Sequence, residues 1–188
     1  MLLDGSREAV TAKLKSFAEA AAKADWAVVY YAGHGIEFDG SNYLVPVDVK
    51  FEQDADIPKE SVALDNVLNA VGVAGKLRLV ILDACRENPF ATDMKRTDAA
   101  SVGRGLARLE PESGTLVAFA TKHGRTATDG AGLNSPFASA LVRRMLTPGL
   151  EVNQIFRLVH DEVLVETEKQ QEPFTYGQLP AQQFYFKQ

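Results

Sequence analysis

The chain has 188 residues, 46% hydrophobic and 24% charged, an ordinary balance for a globular protein and enough length for a core without staples. A formal net charge of −5 and a pI near 5.3 argue against a nucleic-acid-binding face, and the single cysteine excludes an intramolecular disulfide. No apolar run reaches the length of a membrane span, and residues 1–15 lack a signal-peptide pattern. The expectation is therefore one domain over residues 1–188, placed in the cytoplasm, with no membrane or nucleic-acid partner.

Asp4 or Ser6 caps a predicted helix running to about Ala22, with Val10, Leu14, Phe17 and Ala21 at helical spacing. "WAVVYYA" (26–32) reads as a buried strand. Gly33 and Gly35 bracket His34 and predict a sharp turn there. "IEFDGSNYLVPVD" (36–48) reads as a hairpin turning at Asp39-Gly40. Residues 49–61 are polar and read as a surface loop. Val62, Leu64, Val67, Leu68 and Val71 line one side of a helix ended by Gly72 or Gly75.

"LRLVILD" (77–83) is a second buried strand, and residues 86–114 form a long loop. "TLVAFAT" (115–121) is a third strand. Ser135 and Pro136 start a helix to residue 146. Val152, Ile155, Phe156, Val159 and Val163 mark another over 152–167, and "QFYFK" (183–187) reads as a last strand. Strands alternating with helices predict an α/β sandwich around a largely parallel sheet.

Ligands of open α/β sheets bind beyond the carboxyl ends of the strands. His34 and Cys85 follow two predicted strands and lie 51 positions apart. If the strands are parallel, both side chains emerge at one edge. A thiol is a nucleophile only as thiolate, and an imidazole can take its proton and later return it to a leaving amine. The backbone N–H groups of Gly35 and Cys85 can form an oxyanion hole. His123 is a rival base because it too follows a strand; His160 reads as an ordinary surface histidine, and Arg86 as a surface charge or an electrostatic aid to the thiolate. With three histidines, one cysteine and no close-spaced cluster, no metal site is expected.

"YYAGHG" followed by "DACRENPF", with "YLVPVD" and "SPFASAL", resembles the caspase–metacaspase clan of cysteine peptidases, most closely its bacterial caspase-like branch. The related caspase signature also places its histidine about 50 residues before the cysteine. The resemblance spans nearly the whole chain. It implies a caspase-like three-layer α/β/α sandwich with a mostly parallel sheet, lacking the family's usual N-terminal strand, helix and strand. It implies a large-subunit-like part to Cys85, an intersubunit-type loop over 86–114 and a small-subunit-like part over 115–188. It assigns the dyad to His34 and Cys85, and a protein or peptide as substrate. Animal caspases hold a substrate aspartate with a glutamine two residues before the nucleophile and two arginines. Here that position is Asp83, and "FATKHGRTATDG" lacks the Ser-Trp-Arg segment carrying one arginine. Asp83 instead resembles the acidic residue of metacaspase pockets, which implies cleavage after Arg or Lys. Lys95, Arg96, Arg104 and Arg108 then become candidate self-cleavage points; the other reading is a solvated basic loop. No cofactor is expected. Metacaspases are often calcium-activated, yet no calcium loop stands out. The alternative to an enzyme is an inactive caspase-like scaffold whose pocket lacks its N-terminal part.

Overall fold

The computed structural model describes residues 1–85, 95, 106–107, 109–121 and 134–188. Helix α1 (Arg7–Ala21) is capped by Ser6, whose hydroxyl accepts the Ala9 N–H. Strand β1 (Trp26–Phe38) follows, then β2 (Ser41–Val45), a 3-10 turn (Asp54–Asp56) with α2 (Ile57–Glu60), β3 (Val62–Ala63) and α3 (Leu64–Gly72). Strand β4 (Leu77–Cys85), β5 (Thr115–Phe119), α4 (Pro136–Met145), α5 (Val152–Glu166) and β6 (Phe174–Gly177) complete the order.

The six strands form one sheet in the order β3-β2-β1-β4-β5-β6. Only its centre is parallel, β1 with β4 and β4 with β5. The β1–β2, β2–β3 and β5–β6 pairs are antiparallel. The sheet is thus mixed rather than mostly parallel. A two-residue turn joins β1 to β2, and so short a connection can only reverse the chain. The longer connections through α2 and through α4 and α5 bring β3 and β6 back antiparallel as well.

Burial alternates along β4. Leu77, Leu79 and Ile81 join Phe137, Leu141, Ile155 and Val159 of α4 and α5 in one core. Val80 and Leu82 join Ala21, Leu64, Val67 and Val71 of α1 and α3 in the other. A strand apolar on both sides must be covered on both sides, and the result is the expected three-layer sandwich.

Four expectations are corrected. The chain does not turn at His34: β1 runs unbroken through Gly33 and Gly35 to Phe38. The reversal comes at Asp39 and Gly40, whose φ values of 49° and 77° suit a type I′ hairpin turn. Residues 49–61 are not merely surface loop, since Ile57 is fully buried against Ile36 and Val45. Val62 belongs to an edge strand paired with β2, not to the helix after it. Residues 183–187 do not enter the sheet. The Gly149 N–H donates to the Lys187 carbonyl at 3.0 Å and the Val152 N–H to the Phe184 carbonyl at 2.9 Å. Phe184 packs edge-on to Trp26 at 5.7 Å between ring centres. The sheet edge is taken instead by β6, which sequence patterning did not single out.

Gly177 lets β6 lie that close. Its φ is +91°, and an added Cβ would stand 2.1 Å from the Thr115 carbonyl oxygen. Gly114 also has positive φ, +85°, but open space around it. Gly114→Ala should cost about 1–2 kcal/mol, the left-handed penalty alone. Gly177→Ala should cost more, about 3 kcal/mol, because backbone must also move. Urea unfolding of both variants checks the ranking; equal losses would show that β6 yields freely.

Candidate active site

The β1–β4 ladder pairs nine residues in register, from Trp26 with Leu77 to His34 with Cys85. Adjacent strands lie about 4.8 Å apart, so the histidine and cysteine backbones are direct neighbours. Cys85 is the last residue of β4, while His34 lies inside β1 and is solvent-exposed. Beyond His34, β1 continues with β2 on its other side. The two residues therefore meet where β1 changes neighbours.

The phenol of Tyr31 braces this crossing. It lies 2.8 Å from the His34 carbonyl and 3.1 Å from that of Val45, the antiparallel partner of His34. Burial pushes its pKa up to about 12, against the lowering effect of these bonds, so it stays a donor at neutral pH. Gly35 is buried, and a Cβ there would touch Leu106 at 3.0 Å. Leu106 belongs to the core on the α1 and α3 side. It presses on the face of Gly35, whereas a strand's N–H points in the plane of the sheet.

Asp83 pairs with Ala32 across the ladder. It stands one same-face step, about 6.6 Å along the strand, before the His34–Cys85 level. Its Oδ2 accepts hydrogen bonds from Tyr30 Oη at 2.9 Å and from Ser135 Oγ at 2.6 Å. Ser135 also accepts the Ala138 N–H at 2.9 Å, as the cap of α4. Burial and the Asp83 charge, in that order, raise the Tyr30 phenol well above its ordinary range. The structure thus joins β1, β4 and the start of α4 at one carboxylate.

Neither Tyr30 nor the second bond of Ser135 was foreseen. Tyr30 reads in sequence as one apolar strand residue among several. Its signal is parity: it lies two places before Ala32, the partner of Asp83, and so on the same face. Ser135 was legible as a cap, and a hydroxyl that accepts in a cap still has its proton to donate.

Lys95 is exposed, and its backbone bridges to residues 52–54: its N–H donates to the Glu52 carbonyl and its carbonyl accepts from Asp54 N–H, both at 3.1 Å. Arg96, Arg104 and Arg108, together with Arg86 and His123, lie outside the described residues. His160 is on α5, with Nδ1 2.9 Å from Asp161 Oδ1. It lines a cleft of about 450 Å³ with Phe156, Glu172 and Phe174, set apart from β1 and β4. Among the described residues no group of three or more His, Cys, Asp or Glu is placed to hold a metal, and no helix is long and apolar enough to cross a membrane.

Asn42 is a second unforeseen residue. Nearly buried on β2, its amide donates to the Ala107 carbonyl at 3.0 Å, and its carbonyl oxygen accepts the Ala107 N–H at 2.5 Å. Asn42→Ala should lower the unfolding free energy by about 1–3 kcal/mol, since it strands both backbone groups. Asn42→Asp keeps the acceptor but sets a charge against the Ala107 carbonyl. Relative to the parent at each pH, it should be more destabilised at pH 7 than at pH 4 in urea titrations; a pH-independent loss would deny the two-point contact.

A family model described as Caspase domain matches residues 1–185. No curated protein matches the sequence. Among solved structures, the crystal structure of caspase-1 from Spodoptera frugiperda is similar in fold. Its TM-score is 0.62 at 16% identity, covering 98% of this chain and 72% of that one.

Proposed function

The chain belongs to the caspase-domain family, a family of cysteine peptidases, and we propose that it is a cysteine endopeptidase that cuts after Arg or Lys through His34 and Cys85. The observation that carries the proposal is the register pair of His34 and Cys85 on neighbouring parallel strands. Backbones paired in this way can bring a histidine and the chain's one cysteine close enough for the base to serve the nucleophile.

In this reading the His34 imidazole takes the Cys85 proton. The thiolate attacks the substrate carbonyl carbon, and the carbonyl electrons move to oxygen. The backbone N–H groups of Gly35 and Cys85 hold that oxyanion, each donor worth about 3 kcal/mol in the transition state. As the C–N bond breaks, His34 returns its proton to the leaving amine. Water, deprotonated by His34, then hydrolyses the thioester. Asp83 reads the side chain before the cut, and its negative charge favours Arg or Lys over Asp. The same preference makes Lys95, Arg96, Arg104 and Arg108 candidate self-cleavage points.

A second reading, an inactive scaffold, draws on the surface of β1. The register with β2 starts only at His34, so among the described residues Trp26–Gly33 has β4 on one side and no strand on the other. Trp26 and Tyr30 are 38% and 47% exposed there. An open edge with exposed aromatics suits a protein partner.

Cys85→Ala should abolish hydrolysis of a fluorogenic Arg peptide while leaving the circular dichroism spectrum unchanged. Residual turnover in that variant would refute the mechanism. A peptidyl chloromethyl ketone carrying Arg should alkylate Cys85 in the folded protein; no labelling would favour the scaffold. Asp83→Ala should reduce kcat/KM for basic substrates by at least about tenfold more than for neutral ones, as expected for a lost charge-assisted contact, and an equal loss across substrates would remove its specificity role.

A further inference from the structure

We infer that Tyr30 and Ser135 are positioning residues that commit one oxygen of Asp83 to the protein, so that the other alone meets a substrate cation, end-on rather than in a fork. The inference rests on the reading of Asp83 as the residue that selects Arg or Lys.

A carboxylate offers about four lone-pair sites, two on each oxygen. Oδ2 of Asp83 receives the Tyr30 hydroxyl at 2.9 Å and the Ser135 hydroxyl at 2.6 Å. Two donors fill that oxygen. Among the described residues no hydrogen bond ends on Oδ1. Both clamps are durable. Tyr30 keeps its proton, because burial and the carboxylate charge oppose its ionisation. The Ser135 oxygen is held by the Ala138 N–H, which leaves its own O–H to aim at Asp83. The donors come from β1 and from the start of α4, so the carboxylate is gripped from two elements rather than one. The small Ala32 opposite Asp83 in the ladder leaves room for Tyr30 to reach diagonally across.

This arrangement bears on which cation gains more. A guanidinium owes its advantage over an ammonium to the paired fork, which needs one acceptor site on each carboxylate oxygen. With Oδ2 filled, the fork has only Oδ1 to meet. An ammonium is a point donor and loses nothing by one-oxygen contact. Lys and Arg substrates should therefore be treated nearly alike, and removing a clamp should restore the advantage of Arg.

The test compares matched peptides differing only in Arg or Lys before the cut. The parent should show kcat/KM values within about threefold of each other. Tyr30→Phe, which keeps the ring and deletes the donor, should raise the Arg:Lys ratio by about tenfold, the worth of one charge-assisted hydrogen bond. Ser135→Thr keeps a hydroxyl and the cap and should leave the ratio unchanged. A readout free of turnover uses n-propylguanidine and n-butylamine, titrated into the Cys85→Ala protein with and without Tyr30→Phe and followed by NMR. The affinity ratio should shift toward the guanidinium by the same factor. A ratio unmoved by Tyr30→Phe, while Asp83→Ala abolishes binding of both cations, overturns the clamp alone. Binding of neither cation to the parent site, or binding indifferent to Asp83→Ala, overturns the reading of Asp83 and the clamp with it.

Discussion

The register between β1 and β4 is the constraint on which the rest depends. Strand side chains alternate with period two, so a slip of one residue would turn every side chain of one strand to the other face. Here such a slip would exchange Leu79 and Ile81 with Val80 and Leu82 between two filled cores. It would also part His34 from Cys85 and Asp83 from the reach of Tyr30. The apolar residues of β4 thus hold the polar ones in place. The site lies at the end of a strand whose alignment is decided in its middle, where nothing is exposed.

That dependence explains which parts were legible. Buried strands announce themselves by apolar runs, and β1, β4 and β5 were all found this way. Helices α1, α3, α4 and α5 were found through their periodicity and through Ser6 and Ser135, whereas α2, a single turn, lay in a stretch read as loop. The error at His34 came from reading two glycines as a turn. In β1 they serve another need: Gly35 accommodates Leu106 against its Cα, and at Gly33 an added Cβ would meet the Tyr31 hydroxyl at 2.7 Å. A glycine that admits a neighbour and a glycine that bends the chain look the same in sequence.

The misplaced last strand has a different cause. "QFYFK" carries strand-like alternation, and its two phenylalanines do turn inward, Phe184 and Phe186 both packing against Trp26. Its backbone partners, however, are the residues leading into α5. Patterning reports which side chains are buried and says nothing of where the backbone hydrogen bonds go. β6 shows the converse. It is an edge strand with mostly exposed residues, so its alternation is faint, and it holds its place through backbone pairing with β5 and the absence of a side chain at Gly177.

Within the site, residue types were legible and their partners were not. Asp83 was singled out by its position two before Cys85. Its neighbours come from residues 30 and 135, over 50 positions away in each direction, a proximity only the folded sheet creates. Under the proposed function Asp83 has two tasks on its two oxygens. Oδ2 ties the start of α4 to the central strands; Oδ1 faces the ligand in the proposed function. A carboxylate divided in this way couples specificity to architecture. Any side chain that replaces it must accept two hydroxyl donors on one atom, or leave Tyr30 and Ser135 without their acceptor at the point where three elements meet. An amide oxygen can receive both donors, but its nitrogen then replaces the ligand-facing acceptor with a donor. The exchange would preserve the junction while withdrawing the charge that, in the proposed function, selects a cation. Changing what the site accepts therefore does not require dismantling what holds it together, provided that the first oxygen is kept.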